Sequence, residues 1–200
     1  MPGEIQDKLS DHRRKEQKKE TKIVEMRFLE ERDLEFRVSL FNDESILPKM
    51  GFRQPIQLEK TKEWYKRIQQ KSDRADFVFF QGEKVLGMGG LVNINEIDEN
   101  AELYIAMFPS YQGQGFGTIC LLKICSYGFD MLNLHRIYLY MFFDNLQALK
   151  FYEKVGFQKE GILREHCFKD GEFKDRYVLG ILKKEWESLK NGREKEAFIR

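Results

Sequence analysis

The stretch Gln112-Gly113-Gln114-Gly115-Phe116-Gly117-Thr118 points most directly to chemistry. It follows an alternating segment and opens a helical one. Glycines there let the backbone curl so that several N–H groups converge on one point. The helix N-terminus adds partial positive charge at the same place. A phosphate or pyrophosphate fits such a cradle, although a plain glycine turn would use the same residues. No Lys-Ser or Lys-Thr pair follows, so this is not a nucleoside-triphosphate loop. The glycine spacing and the lack of an alternating βαβ series also exclude a dinucleotide fingerprint.

A second constellation lies downstream. Asn145 stands where a helix would be capped, and Tyr152 follows two turns later in a segment ending Val155-Gly156-Phe157. That separation puts both on one helical face. A phenol there can hydrogen-bond to a leaving group or protonate it. Core packing for Tyr152 and a bare N-cap for Asn145 are the alternative readings. His166 and Cys167 invite a nucleophile–base reading. Neighbours on a strand point to opposite faces, so the two should not meet. Cys120 and Cys125 read as small residues of a packed helix. The 3 cysteines show no CxxC spacing, which predicts reduced thiols, no zinc site and a cytoplasmic protein.

The elements that must position these groups can be read in order. Ile23 to Phe28 predicts a strand, Glu30 to Leu40 a helix, and Asn42 to Pro55 an irregular stretch. Leu58 to Gln70 predicts another helix, with Thr61 capping its regular part. Asp76 to Phe80 and Lys84 to Val92 predict a hairpin over Gln81-Gly82-Glu83. Glu102 to Phe108 alternates, with Leu103, Ile105 and Met107 on one face and Glu102, Tyr104, Ala106 and Phe108 on the other. An apolar helix from about Gly115 to Leu132, a strand Arg136 to Phe143 and a helix Asn145 to Val155 follow. Phe157 to Cys167 and Phe173 to Leu182 predict a final hairpin. The order is mixed α/β in one domain, 22–187, between a charged arm, 1–21, and a polar tail, 188–200.

In these residues the chain resembles the GNAT superfamily of N-acetyltransferases. Gln112-x-x-Gly115-x-Gly117 is similar to that family's signature loop, and Asn145…Ala148…Tyr152…Gly156-Phe157 to its second characteristic segment. The ending Gly171-Glu172-Phe173-Lys174-Asp175-Arg176-Tyr177 is similar to the branch with ribosomal-protein N-terminal, spermidine and amino-sugar acetyltransferases. The resemblance implies a mostly antiparallel twisted sheet of about seven strands flanked by helices. It implies a splayed strand pair at Met107-Phe108 whose free backbone groups bind the pantetheine arm of acetyl-CoA. The backbone from Gln112 through Gly113, Gln114, Gly115, Phe116 and Gly117 to Thr118 would hold the pyrophosphate. Asn145 would orient the donor, and Tyr152 would sit near the thioester sulfur. An N–H at about Met107 would stabilise the oxyanion. Acetyl transfer to a primary amine would be direct, without a metal. Glu102 is the first candidate base for the ammonium proton and Asp175 the second.

The implied acceptors are an amino sugar or its nucleotide, a small amine or a protein N-terminus. The acceptor walls should come from Asn42 to Pro55, the Leu58 helix and the last hairpin, and include Lys49, Arg53, Lys60 and Lys62. That mix lacks the several carboxylates a polyamine wants. A non-catalytic acyl-CoA-binding module is the alternative function. Lys plus Arg total 34 and Asp plus Glu 33, a balance that argues against nucleic acid as partner. No run is long and apolar enough for a membrane span, so no membrane partner is expected. Self-association as a homodimer is left open.

Overall fold

The computed structural model describes residues 22–198 except Gly51 and Arg53; the expected arm, 1–21, lies outside the described residues. Seven strands form one sheet in the order β1-β2-β3-β4-β5-β7-β6. They are β1 (Glu25–Phe28), β2 (Arg74–Gln81), β3 (Lys84–Asn95), β4 (Asn100–Met107), β5 (Arg136–Phe142), β6 (Gln158–Lys169) and β7 (Glu172–Leu182). Every pairing is antiparallel except β4 with β5, which is parallel. The helices are α1 (Leu34–Phe41), α2 (Leu58–Ile68), α3 (Phe116–Ser126), α4 (Leu146–Val155) and α5 (Lys183–Phe198). The predicted mixed α/β architecture is therefore the one observed.

Period-two alternation sorts the strand residues onto two cores. On one face Phe77, Phe79, Leu91, Leu103, Leu139 and Ile181 pack with Cys120, Leu121 and Ile124 of α3, Val155 of α4 and Trp186 of α5. On the other, Val78, Met88 and Ala106 pack with Leu34, Leu40 and Phe41 of α1 and Ile68 of α2. The central strands are covered on both sides, which explains why β2 reads as a continuous apolar run. Burial pushes the Cys120 thiol up to about 12, so it is a packing residue rather than a nucleophile.

Three local expectations are corrected. The helix expected from Glu30 begins as a 3-10 turn, Glu31–Asp33. Buried Asp33 closes that turn: it accepts the Glu30 N–H at 2.9 Å and the Arg27 fork at 2.6 and 2.8 Å. Thr61 is no cap, because α2 starts at Leu58; Thr61 Oγ1 instead donates to the Gln57 carbonyl at 2.8 Å. The long helix through Leu132 is α3 followed by a π-turn, Tyr127–Met131. The polar C-terminal segment from Lys183 forms α5, and Leu189 packs on the larger core.

The glycine-rich β3 admits its neighbours closely. A Cβ on Gly90 would stand 2.2 Å from the Ala75 carbonyl oxygen, which belongs to the backbone of β2. Gly90→Ala is therefore expected to cost about 2 kcal/mol or more through overpacking. For a domain of this size that lowers Tm by about 4–8 °C in calorimetry. An unchanged Tm would show that β2 and β3 can separate without loss.

Candidate active site

The site is built on the one parallel contact of the sheet. β4 and β5 pair only through Asn100↔Arg136, Ala101↔Ile137 and Glu102↔Tyr138. Beyond Glu102 the register stops while both strands run on, so they diverge. On its other side β4 stays paired with β3, and the Phe108 N–H donates to the Leu86 carbonyl at 3.0 Å. Antiparallel alternation then turns the backbone groups of Leu103, Ile105 and Met107 the opposite way, into the gap. The Met107 carbonyl accepts the Gln112 side chain at 2.9 Å, which folds the glycine loop back onto the strand.

A cavity of about 530 Å³ runs through this gap. Gly113, Gly115, Gly117 and Thr118 line one side. Gly115 caps α3 at φ 88°, where a side chain would be strained. A Cβ at Gly115 would meet nothing within 4 Å, so the space beside the loop is open. Gly117 faces Met107 and Phe151, with a built Cβ 3.6 Å from each. This curled backbone at a helix N-terminus suits a phosphate, and the open space beside it gives room for one.

Helix α4 closes the same side. The Asn145 side chain accepts the Ala148 N–H at 3.1 Å, so Asn145 is a true N-cap as well as a lining residue. Tyr152 also lines the cavity, its ring packed at 5.1 Å from Phe151 and 5.8 Å from Phe157. Burial, with a smaller contribution from the neighbouring Cys125, pushes its phenol well above the usual tyrosine value. The group keeps its proton through neutral pH and can act as a donor.

The opposite end lies on the α1–α2 face of the sheet. Glu102 lines it at the last paired position, and its Oε2 accepts the Asn93 amide at 3.0 Å. Tyr104, two residues on, has its hydroxyl bonded to Asp76. Asp76 is itself gripped by Arg74 at 2.6 and 2.7 Å. Burial and Asp76 raise the Tyr104 phenol well above its ordinary value, so it is a fixed wall rather than a base.

The structure brings most of the predicted residues together but not all. Met107, Gln112, Gly113, Gly115, Gly117, Thr118, Asn145, Tyr152 and Glu102 border one cavity. Phe108, Gln114 and Phe116 are not in the lining, and Phe108 packs instead with the α1–α2 core. Phe116 is buried against Tyr111, and the Gln114 amide donates to the Ser110 carbonyl at 2.6 Å. Asp175 stands outside the lining, where its Oδ1 accepts the Glu165 N–H at 2.8 Å and fastens a bulge in β6. His166 and Cys167 do not pair: His166 lies 4.9 Å from the Tyr140 ring, and the Cys167 thiol points to the Lys174 carbonyl. Lys49 lines the cavity, while Lys60 and Lys62 do not and Arg53 is outside the described residues.

Tyr140, Arg176, Lys154 and Lys22 also stand at or near the site and were not expected there from the sequence. Tyr140 and Arg176 could have been found by carrying the alternation of Glu102 and Tyr104 across the sheet. Lys22 reaches the Gln114 carbonyl and lies 4.5 Å from the Phe116 ring, a contact across the chain with no local signal.

Comparison with known proteins agrees with this geometry. Residues 24–158 match the family model for the acetyltransferase (GNAT) domain. Spermidine N(1)-acetyltransferase of Vibrio cholerae serotype O1 is 33% identical over 163 residues, covering 80% of this chain and 94% of that protein. The Escherichia coli K12 spermidine N(1)-acetyltransferase is 33% identical over 165 residues, covering 82% and 88%. The crystal structure of the Vibrio cholerae spermidine N-acetyltransferase in complex with CoA and spermine superposes with a TM-score of 0.77. It is 31% identical and covers 82% of this chain and 97% of that one. A glycine loop, a splayed strand pair and a capped tyrosine helix around one cavity, with these matches, show that the chain belongs to the GNAT acetyltransferase family.

Proposed function

We propose that the chain transfers the acetyl group of acetyl-CoA directly to a primary amine of a small acceptor. The observation that carries this reading is the cavity that passes through the sheet between β4 and β5. It joins the glycine loop on the α3–α4 face to Glu102 on the α1–α2 face. Donor and acceptor can therefore enter from opposite faces and meet in the gap, which is the proximity that direct transfer needs. The retained carboxylate and phenol favour an enzyme over a non-catalytic binding module. The relatives act, by their names, on spermidine, so a polyamine belongs in any first acceptor panel. The test is release of free CoA thiol when acetyl-CoA is mixed with a panel of amines.

In the mechanism, Glu102 takes a proton from the acceptor ammonium, directly or through one water. The freed amine nitrogen forms the new C–N bond at the thioester carbonyl. The Met107 N–H, turned into the gap, steadies the charge that grows on the carbonyl oxygen. As the C–S bond breaks, the Tyr152 hydroxyl supplies a proton to the departing sulfur, and the second proton lost from the new amide nitrogen passes through solvent to restore the Tyr152 hydroxyl. Lys22 and Lys154 place positive charge near the loop and along α4.

Three outcomes are expected. Gly117→Asp puts an acid in the first turn of α3, where the helix dipole favours it, so Tm should hold. The same carboxylate would occupy the phosphate position, and the CoA Kd from calorimetry should rise about 100-fold. Unchanged affinity would remove the loop from the donor site. Tyr152→Phe keeps the ring but loses about 1–3 kcal/mol at the transition state, or about 10- to 100-fold in kcat, with CoA affinity nearly constant. Because the phenol is raised, wild-type activity should show no alkaline loss from this group below about pH 10. Glu102→Gln should lower kcat/KM about 100-fold near neutrality. That loss should shrink as pH rises toward the acceptor's own pKa, since a free amine needs no base. A pH profile with the wild-type shape would assign proton removal elsewhere.

A further inference from the structure

The charges of the acceptor end oppose a second ammonium. Among the described residues four charged side chains line the cavity: Lys49, Lys154, Arg176 and Glu102. Lys154 lies on α4, one turn from the lining residue Phe151, on the donor side. On the face opposite α3 and α4 the described lining therefore carries Lys49 and Arg176 against one carboxylate, Glu102, which the transfer itself requires. We propose that the acceptor is a primary amine bearing its own anionic group, a phosphate or carboxylate, and that Arg176 receives that group.

Arg176 is placed for this by register. It pairs with Phe142 across β7 and β5. Its neighbour Tyr177 points into the core shared with α3, α4 and α5, so Arg176 points to the other face, with Phe142, Tyr140 and Tyr104. The guanidinium lies 4.8 Å from the Phe142 ring centroid, and Lys169 covers the same ring at 4.2 Å. Among the described residues Arg176 has no carboxylate within salt-bridge range, and its buried Nε has no hydrogen-bond partner. Arg27, Arg74 and Arg136 each grip a carboxylate through two nitrogens. Leaving a buried donor unmet is costly, so an acceptor atom from a ligand would complete it. A guanidinium stacked on an aromatic ring keeps its edge free, and that planar fork matches phosphate or carboxylate oxygens. A polyamine would instead bring further cations toward Arg176, Lys169 and Lys49.

This inference rests on the acetyl-transfer reading, and the experiment separates the two. Acetylation kinetics are measured for glucosamine 6-phosphate against glucosamine, for lysine against cadaverine, and for spermidine. Wild-type enzyme should favour an anionic member of at least one pair by tenfold or more in kcat/KM and should prefer it to spermidine. Arg176→Gln should erase that preference by raising the acceptor KM at least tenfold, with the acetyl-CoA KM held within twofold. Lys49→Gln, on an exposed side chain, should weaken the same preference three- to tenfold without risk to folding. Preference for spermidine, or no anionic preference in either pair, would overturn the proposal. An acetyl-CoA KM that rises in step would assign Arg176 to the donor phosphates and overturn it equally. If no amine is acetylated while CoA still binds, the transfer reading fails by itself. Glucosamine 6-phosphate titrated calorimetrically into CoA-saturated protein then decides the anion site: heat lost in Arg176→Gln supports it, and no heat with wild type refutes it.

Discussion

Three residue pairs hold β4 to β5, and everything functional depends on their stopping at Glu102↔Tyr138. A parallel ladder that continued would satisfy the backbone of Leu103, Ile105 and Met107 and would seal the sheet. Because it stops, a row of N–H and C=O groups faces a gap, and a buried backbone group without a partner costs free energy. An extended ligand can supply the missing strand, as in β-augmentation. The rest of the fold keeps the gap open. The β3 ladder holds β4 from its other side, and Gln112 ties the Met107 carbonyl to the loop. Pro109 then turns the chain away from the strand.

The acceptor wall is held by a charge block outside the cavity. Arg74 grips Asp76, Asp76 takes the Tyr104 hydroxyl, and the Trp64 ring of α2 has Arg37 at 3.9 Å and Arg74 at 5.0 Å. Burial lowers the Arg37 pKa, with Tyr104 and Asp76 pulling it back up. Removing one partner from such a buried set would strand a charge, so the block specifies geometry more than it adds stability. It fixes α1 and α2 against β2 and β4, and with them the Tyr104 ring at the gap.

What the sequence disclosed follows the range of each interaction. The loop from Gln112 to Thr118 and the Asn145–Tyr152 helix were legible because turn and cap chemistry is local. The alternation of β4 correctly separated Leu103, Ile105 and Met107 from Glu102 and Tyr104. Asp175 was misplaced relative to the cavity because its strand partner, β6, bulges between Leu163 and Cys167, and the carboxylate serves that bulge. Its neighbour Arg176 reaches the cavity instead, by the same period of two. Thr61 failed as a cap because α2 starts a turn earlier, at a Gln57 whose carbonyl Thr61 then bonds. Lys22 and Lys154 needed contacts that no short motif encodes.

The unpaired edge of β4 is completed, on this structure, by a ligand's extended arm. Amide hydrogen exchange at Ile105 and Met107, read with and without CoA, tests it most directly. CoA should slow exchange at these two amides by at least about tenfold, while the Phe108 amide, already bonded to Leu86, should change little. Protection confined to the loop at 112–118, with Ile105 and Met107 unaltered, would contradict it.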